Sequence, residues 1–458
     1  MLRAVYRFRA RLDRYKLVSK RTVRAELLAD PIVRRAIAEE ARSTGLTEAD
    51  AQLHVELYLD EIVPQFNVLS YYRLGYNVAR ALVHLLYRAT TEYQDRASLD
   101  RIPRRDIVIY LMNHRSNADY VVLAYVLAQA VSISYAVGEW ARVWPLEYVF
   151  KSFGAYFVRR GFRDPLYHTV LRRYVQLITR NGVTQGIFLE GALSRDGAMR
   201  PAKIGLLDSV AGTLDELPPE RDIWLVPVAV NYDRTLEDRT LIRELLDQSD
   251  RPSRVRQLWT VIAYMTQNLL RLATGNLKRY GRVAVNFGTP ISLRAWVAER
   301  PGILALPKAE RLPKVQGLAD RILETVAAIV PVTPVPLVSA VLLSFDDTVV
   351  WRDALLERLD DICQYLVQTG AKLVQPERDA ARTFERAWRT LRMRRLVMRE
   401  GDAYVILPRQ RPLLQYYANS VRHLLPQSVD RLIMHPAHEP DADLPTLRPW
   451  RPSGPQGR

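Results

Sequence analysis

The sequence predicts an α/β domain between a helical N-terminal region and a mainly helical C-terminal region. From about residue 100 to 290, short apolar runs rich in β-branched residues alternate with stretches of helical periodicity, which is typical of α/β domains. Before and after this part the pattern is helical. With 458 residues, 48% of them apolar, the chain is long enough for two or three domains with a sizeable core.

Four segments are expected along the chain. Residues 1–95 are rich in Arg, Glu, Leu and Ala and show no convincing strand, and 70–93 within them has the pattern of an amphipathic helix. The α/β domain covers 96–300 and the mainly helical region 301–425. Residues 426–458 are expected to form a disordered tail, because their last two dozen positions carry six prolines and little periodicity.

The predicted elements of the α/β domain follow one another as strand and helix. Apolar runs bounded by polar residues predict strands at 106–112, 131–137, 155–158, 185–189, 224–230 and 282–287. Helical periodicity predicts helices at 120–129, 165–179, 204–214 and 255–272. A hairpin is expected later, with strands 396–399 and 403–407 around Gly401-Asp402. Since ligand sites in open α/β sheets collect at the carboxyl ends of strands, the polar clusters that end four of these strands are the candidate site.

The composition restricts the partner and the compartment. The formal net charge of +16 favours an anionic partner, which could be nucleic acid, an anionic membrane surface or a phosphorylated small molecule. Part of the excess is an N-terminal basic run, which could also be only a solvated surface: Arg3, Arg7, Arg9, Arg11, Arg14, Lys16, Lys20 and Arg21. Cys363 is the single cysteine, so neither an intramolecular disulfide nor a cysteine-based zinc cluster can form, and a reducing cytoplasmic setting fits.

The sequence predicts contact with a membrane surface rather than passage through the bilayer. The N-terminal segment lacks the apolar core of a signal peptide, and no stretch reaches about 18 uninterrupted apolar residues. Residues 329–344 come closest, but their three prolines indicate a buried connection. If the protein meets a membrane, we expect it to lie on it.

Residues 113–119, which read Asn-His-Arg-Ser-Asn-Ala-Asp, follow the first predicted strand. On one continuous helix, positions five apart differ by about 140° in direction, so His114 and Asp119 can meet only across a loop-to-helix junction. Ser116 and Asp119 resemble a capping box that opens the helix at 120–129. At this junction the Asp119 carboxylate can hold one ring nitrogen of His114 in place, while the other ring nitrogen faces a substrate. The alternative is that Ser116 and Asp119 only cap the helix and His114 lies on the surface.

Two other strands carry unusual residues. Arg159 and Arg160 end the strand at 155–158, and two guanidinium groups there suit a phosphate, although a solvated turn would look the same. Pro227 interrupts the strand at 224–230, where its missing N–H favours a sheet edge, a bulge or the wall of a channel.

A fourth cluster follows the strand at 185–189. Glu190 stands at the strand end, and Gly191 after it permits positive φ or close backbone approach. Ser194, Arg195 and Lys203 come next, with Lys203 at the start of the following helix. Basic residues beside a helix N-terminus favour an anionic group, while a plain loop with solvated charges is the alternative.

The order and spacing of the four clusters resemble the four blocks of the phospholipid/glycerol acyltransferase family. His114 and Asp119 are similar to its H-x4-D block, and 154–160 to its G-[AS]-[FI]-F-[IV]-R-R block. Glu190-Gly191 with Ser194-Arg195 resembles the E-G-x-R-S-R block, and 226–234 the V-P-V-x-[VI]-x-Y-D-R block. Residues 413–420 with His423 are similar to a C-terminal motif of the long branch, the glycerol-3-phosphate and dihydroxyacetone-phosphate acyltransferases. The resemblance covers about 60–425 and implies a mixed sheet flanked by helices.

The resemblance also implies a reaction. His114, oriented by Asp119, would deprotonate the hydroxyl of glycerol 3-phosphate, which attacks an acyl-CoA or acyl-carrier-protein thioester, with no cofactor or metal. Pro227 would line the acyl path, Glu190 and Gly191 would shape the acceptor site, and the acceptor phosphate would be held by the basic residues Arg159, Arg160, Arg195 and Lys203. The protein would work at the cytoplasmic face of an anionic, bacterial membrane.

Two departures from the family pattern leave the acceptor open. Leu193 stands where the third block normally carries an arginine, and the P-K-x-G element reads Ala-Lys-Ile-Gly at 202–205. Dihydroxyacetone phosphate and a lysophospholipid therefore remain alternative acceptors. A basic protein that binds membrane or nucleic acid without catalysis is an alternative of another class. Nucleic acid is not expected, because binding a phosphate backbone does not require His114, Asp119 and Glu190 at strand ends.

Overall fold

The computed structural model of this chain describes residues 18–65, 76–127, 134–138, 146–152, 154–159, 161–239, 241–242, 280–374 and 379–434. Several sequence predictions lie outside these residues: the basic run up to Lys16, the start of the strand expected at 131–137, Arg160, the helix expected at 255–272 and the tail from 435.

Helices and strands alternate through the middle of the chain. The helices are α1 (Lys20–Ala29), α2 (Pro31–Thr44), α3 (Glu48–Ile62), α4 (Tyr76–Leu86), α5 (Arg96–Asp100), α6 (Asp119–Leu127), α7 (Leu146–Ser152), α8 (Pro165–Arg180), α9 (Gly205–Ala211), α10 (Leu293–Ala298), α11 (Lys308–Ala328), α12 (Pro334–Leu343), α13 (Arg352–Gln368), α14 (Ala380–Met393), α15 (Arg411–Asn419) and α16 (Gln427–Met434). The strands are β1 (Arg88–Tyr93), β2 (Ile107–Met112), β3 (Ser134–Gly138), β4 (Tyr156–Val158), β5 (Gln185–Phe188), β6 (Ile223–Tyr232), β7 (Arg282–Phe287), β8 (Ile291–Ser292), β9 (Val349–Trp351), β10 (Val397–Glu400) and β11 (Ala403–Ile406).

Strands β1 to β8 form one mixed sheet in the order β1-β7-β6-β2-β5-β3-β4, with β8 paired to β6. Neighbours from β6 to β4 are parallel, while β7 and β8 run antiparallel to β6. Parallel strands end at the same edge of a sheet. The residues that follow β2, β4, β5 and β6 therefore meet there, as the α/β prediction requires.

Both faces of this sheet are covered. Along β2, Ile107, Ile109 and Leu111 belong to a core built with helices α1–α3, α8, α9 and α11. The alternate residues Tyr110 and Met112 belong to a second core that includes α6 and the aromatic side chains near α4. Successive side chains of a strand point to opposite faces, so a run of apolar residues without polar interruption marks a strand buried on both sides.

The C-terminal region has a core of its own. Helix α12 is buried along its whole length and begins with Pro334 at its first turn, where a missing N–H costs nothing. The expected connection at 329–344 is therefore largely a buried helix. Strands β9, β11 and β10 form a small antiparallel sheet, and the predicted hairpin around 401–402 is confirmed.

Two sequence predictions about segment limits are wrong. Strand β1 lies in the segment expected to be helical and pairs in parallel with β7. Its sequence Arg-Ala-Thr-Thr-Glu-Tyr is polar because the strand is an exposed sheet edge, so no apolar run marks it. Residues 427–434, expected to belong to a disordered tail, form helix α16, and its Val429 and Ile433 are buried in the C-terminal core. Of the helices described, none combines the length and apolar character needed to cross a membrane.

Candidate active site

The end of β2 is tied to β6 by a side chain. The Asn113 amide donates to the Val230 carbonyl over 3.0 Å and accepts from the Val230 N–H over 2.8 Å. These two bonds replace a pair of backbone sheet bonds where β2 leaves the sheet. The chain therefore leaves the sheet at a fixed position, directly before His114.

His114 and Asp119 contact each other across the junction between β2 and α6. The Nδ1 atom of His114 lies 2.9 Å from Oδ2 of Asp119, and the side chains are 1% and 0% exposed. The same oxygen accepts from the N–H groups of Arg115 at 2.8 Å and Ser116 at 3.1 Å. Asp119 therefore caps the turn and orients the histidine at once, and the alternative of a surface-exposed His114 is wrong.

Other groups fix the aspartate and the imidazole ring. The hydroxyl of Tyr232, at the end of β6, donates to Oδ1 of Asp119 over 2.5 Å. The His114 ring stacks on Phe188 at 4.0 Å and meets the edge of Tyr120 at 5.6 Å between centroids. A ring held on its faces and through Nδ1 has little freedom to turn, and its Nε2 atom lies on the edge away from Asp119.

Glu190 is buried behind the histidine. Its carboxylate accepts from the His114 N–H over 3.2 Å and from the Arg200 N–H over 3.1 Å, and so joins two loops of the site. Burial raises the pKa of Glu190 and the guanidinium of Arg115 opposes that rise. Gly191 has φ of +67°, and a Cβ there would come within 2.9 Å of Lys203, so this position has both properties expected from the sequence.

A third carboxylate, which is partly buried, lies beside Asp119 and was not predicted from the sequence. Glu237 accepts from the Ser116 hydroxyl over 2.7 Å and from the Asn117 N–H over 3.2 Å. Burial raises its pKa to about 7, and the charge of Asp119 adds to the rise. Tyr232 is the last residue of β6 and Glu237 follows this strand, at the edge where β2 ends, so a search of that strand end for polar residues could have found them.

The C-terminal region packs directly on the site loops. The fully buried Arg115 donates to the Gly197 carbonyl, and the Tyr416 hydroxyl of α15 donates to the Arg115 carbonyl over 3.4 Å. A Cβ on Gly197 would come within 1.9 Å of the Tyr416 carbonyl oxygen, so only glycine permits this approach. Asn419 donates to the Asp196 carbonyl over 2.9 Å. Helix α15 therefore forms part of the wall around the loop that follows β5.

Two family matches account for most of the chain. The family described as Acyltransferase matches residues 96–231, which include the ends of β2, β4 and β5 and all of β6 except its last residue. The family described as Glycerol-3-phosphate acyltransferase C-terminal region matches residues 266–428. Over these residues the chain is similar to acyltransferases.

Curated relatives show the same similarity to acyltransferases. The glycerol-3-phosphate acyltransferase of Aeromonas hydrophila is 28% identical over 440 residues, which cover 91% of this chain and 52% of that protein. Those of Actinobacillus succinogenes and Pasteurella multocida are 28% and 27% identical, each covering 92% of this chain and 52% of the relative. The chain therefore spans about half the length of the curated relatives it matches. The 1-acyl-sn-glycerophosphate acyltransferase of Thermotoga maritima superposes with a TM-score of 0.31 at 16% identity, over 56% of this chain and 77% of that one, and this likeness is too weak to carry an argument.

The second family block contains an ion pair. The Arg159 side chain binds the buried Glu61 of α3, with its Nη2 atom 2.7 Å from Oε2. The guanidinium also lies over the rings of Tyr58, Phe162 and Tyr167 at 4.7–5.5 Å from their centroids. In this structure Arg159 therefore joins the N-terminal helices to the end of β4, and binding of a phosphate there would require it to share its donors with Glu61.

In the third family block the basic side chains lie in solvent, while Leu193 packs against the C-terminal core. Ser194 is buried, with its N–H donating to the His114 carbonyl over 3.2 Å and its hydroxyl to the Ala198 carbonyl over 2.7 Å. Arg195 and Lys203 are exposed to solvent. Leu193, at the position where the family carries an arginine, packs against the core of the C-terminal region. Its side chain therefore serves the contact between the two regions.

Pro227 lies inside the sheet, where the neighbour of β6 changes. It is paired with Leu111 of β2 on one side, while its carbonyl accepts from Gly288 on the other, between β7 and β8. The N and C=O of one strand residue face the same neighbour, so the missing N–H of Pro227 faces this interruption. At Pro227, where the sequence favoured an edge or a bulge, the structure has a gap between β7 and β8, the two strands that pair antiparallel with β6.

Proposed function

We propose that this chain transfers a fatty acyl group from acyl-CoA or an acyl-carrier-protein thioester to the sn-1 hydroxyl of glycerol 3-phosphate. The observation that carries the proposal is the buried contact of 2.9 Å between His114 and Asp119 at the carboxyl end of β2, in which three further donors hold the Asp119 carboxylate. The relatives named glycerol-3-phosphate acyltransferase support the choice of acceptor.

The reaction follows from the orientation of the imidazole. With Nδ1 on Asp119, Nε2 takes the proton of the acceptor hydroxyl as its oxygen attacks the thioester carbonyl. The tetrahedral intermediate then collapses, the C–S bond breaks, and the thiolate takes the proton back from the imidazolium. Asp119 stabilises the imidazolium between these steps. A positioned base of this type typically contributes about 10²- to 10⁴-fold to the rate.

The acceptor is the less constrained part of the proposal. Leu193 packs into the C-terminal core, so the guanidinium of Arg195, exposed on the same loop, is the basic group of the third block for a phosphate. The side chain of Lys203 lies next to Gly191 and supplies a second positive charge. Dihydroxyacetone phosphate carries the same phosphate and is the second candidate.

The test is release of free CoA from palmitoyl-CoA by the purified full chain, with and without an acceptor. We expect release only when glycerol 3-phosphate is present, formation of the sn-1 lysophosphatidate by mass spectrometry, and loss of both in His114→Ala. Side-by-side assays with dihydroxyacetone phosphate and lysophosphatidate decide the acceptor. A preference for lysophosphatidate would reject the sn-1 assignment, and undiminished turnover by His114→Ala would reject the mechanism.

We also propose that the protein works at the surface of an anionic membrane. Its excess of basic residues supports this, because each Lys or Arg near an anionic leaflet contributes about 1 kcal/mol. Sedimentation with phosphatidylglycerol vesicles and with phosphatidylcholine vesicles tests the idea. We expect binding to the first that weakens with salt, and equal binding to both would contradict the electrostatic basis.

A further inference from the structure

Two adjacent acidic residues after β6 connect the site with the C-terminal region. Glu237 binds the turn between His114 and Asp119, through the hydroxyl of Ser116 at 2.7 Å and the N–H of Asn117 at 3.2 Å. The Ser116 hydroxyl oxygen itself accepts from the N–H of Ala118 over 3.1 Å. Glu237 thus holds two successive residues of the short segment between the catalytic side chains.

Asp238 faces the other way. Its carboxylate forms a buried ion pair with Arg394, whose Nη2 atom donates to Oδ1 over 3.0 Å, and it also accepts from the Tyr417 hydroxyl. Arg394 directly follows α14 and Tyr417 belongs to α15, so both partners lie in the C-terminal region. Because Glu237 and Asp238 are consecutive, fixing one limits the movement of the other to a single residue's backbone freedom.

We propose that Glu237 is a positioning residue for His114 and Asp119, and that the C-terminal region fixes it through Asp238. The proposal rests on the acyl transfer proposed above and adds to it a reason for the C-terminal region to take part. Glu237 is hydrogen-bonded to Ser116 and Asn117 of the turn. It acts by holding the turn in which the base and its orienting acid stand.

The ionised form of Glu237 suits this role. A carboxylate accepts on both oxygens, so it binds the Ser116 hydroxyl and the Asn117 N–H together, whereas a carboxylic acid must use one oxygen as a donor. The titratable groups that face it are Asp119 from α6, Tyr232 from β6 and Tyr416 from α15. None of the three is a cation, and burial raises the pKa of Glu237 to about 7. The carboxyl therefore changes its charge in the neutral range.

The sign of the pH dependence follows. As the pH rises through about 7, Glu237 loses its proton, and the turn gains its second acceptor. The added negative charge beside Asp119 also stabilises the imidazolium of His114 and raises its pKa. Catalysis should increase over this interval more steeply than deprotonation of a single histidine would allow.

The experiment compares kcat and KM of the wild type, Glu237→Gln and the exposed control Glu220→Gln from about pH 5.5 to 8.5, around the ordinary pKa of histidine. An amide offers one acceptor oxygen in place of two, so Glu237→Gln should lower kcat by about 10- to 100-fold, since small displacements of a catalytic group have effects of this size. The KM for palmitoyl-CoA should change little, and the rise of kcat with pH should become that of one titrating group. Glu220→Gln should behave as the wild type.

A second measurement does not depend on activity. Protein labelled in its histidines gives the imidazole titration by NMR, with the His114 signal assigned by its loss in His114→Ala. Its pKa should be lower in Glu237→Gln than in the wild type, and lower to a smaller extent in Asp238→Asn. If Glu237→Gln keeps both the pH profile and the His114 pKa of the wild type, the positioning role is rejected. If the wild type releases no CoA with any acceptor, the proposed function fails, and the NMR titration still decides the role of Glu237.

Discussion

The sheet edge and the contact with the C-terminal region both bury carboxylates, but they hold them in different ways. At the sheet edge, Asp119, Glu190 and Glu237 each accept from backbone N–H groups. At the contact, Asp238 is neutralised by the guanidinium of Arg394. A backbone amide stabilises a carboxylate without cancelling its charge, whereas an ion pair cancels it. The first arrangement leaves a negative field for the imidazolium of His114, and the second is a fixed structural joint.

This difference predicts that neutralising Asp119 affects activity more than folding. Asp119→Asn keeps the size of the side chain, but its amide nitrogen cannot accept from the donors now bound to Oδ2, and it favours the wrong tautomer of His114. We expect kcat to fall by about 10³- to 10⁴-fold, as in other histidine–carboxylate pairs. Initial rates of CoA release measure the effect.

The matched control for this variant is Asp215→Asn, which alters an exposed carboxylate away from the site. It should retain full activity. If Asp119→Asn kept more than a tenth of the wild-type kcat, the aspartate would be a helix cap with no part in orienting the base.

At the contact between the regions, removing one charge should affect folding first. Arg394→Ala leaves Asp238 buried without its cation, and breaking a buried ion pair in this way costs about 3–5 kcal/mol. Urea unfolding measures the loss. The double variant Arg394→Met with Asp238→Leu should recover much of it, because two apolar side chains of similar volume leave no charge unpaired. Equal stability of the single variant and the wild type would show that the ion pair does not stabilise the fold.

The double variant of Arg394 and Asp238 also distinguishes an effect on stability from an effect on catalysis. In the double variant the fold should be restored, yet Glu237 would lose the neighbour through which the C-terminal region fixes it. Full recovery of kcat together with stability would argue against a coupling through Asp238.

The sequence predicted the sheet edge well and the contact between regions hardly at all. His114, Glu190 and Pro227 each stand in or shortly after an apolar run, so one strand pattern located the clusters, and their order gave the resemblance to acyltransferases. The partners of Glu237 and Asp238 are 121 and 156 positions away along the chain, and those of Arg115 up to 301. A pattern among neighbouring residues carries no information about contacts between residues so far apart in the sequence. Strand β1 was not predicted for a different reason. An exposed edge strand needs no apolar run, so the sequence pattern does not mark it.

Leu193 illustrates the limit of family comparison. Its sequence position suggested a missing phosphate ligand, which is a statement about the acceptor. Its environment in the C-terminal core shows that the side chain also has a packing role, which a motif cannot reveal. The same holds for Arg159, where the block suggested a phosphate ligand and the structure adds a buried partner, Glu61.

The smallest expected effect concerns the pH dependence of stability, and it runs opposite to that of activity. The folded protein raises the pKa of Glu237 to about 7 from the ordinary value of 4.5, so the folded state binds the proton more tightly than the unfolded chain. Its contribution to stability is therefore complete below about pH 4.5 and is lost as the pH rises through about 7. Asp233, whose pKa burial raises to about 6 from 3.8, acts in the same direction. In Glu237→Gln the free energy of unfolding should decline less between these limits, by about 3 kcal/mol, since each pKa unit corresponds to about 1.4 kcal/mol. Urea unfolding at a series of pH values measures this, and an equal decline in both proteins would mean that Glu237 is not the group that titrates. If the decline is smaller in the variant while its kcat is lower, the ionised carboxylate that aligns the base also weakens the fold, which is the expected cost of keeping an unpaired charge inside a protein.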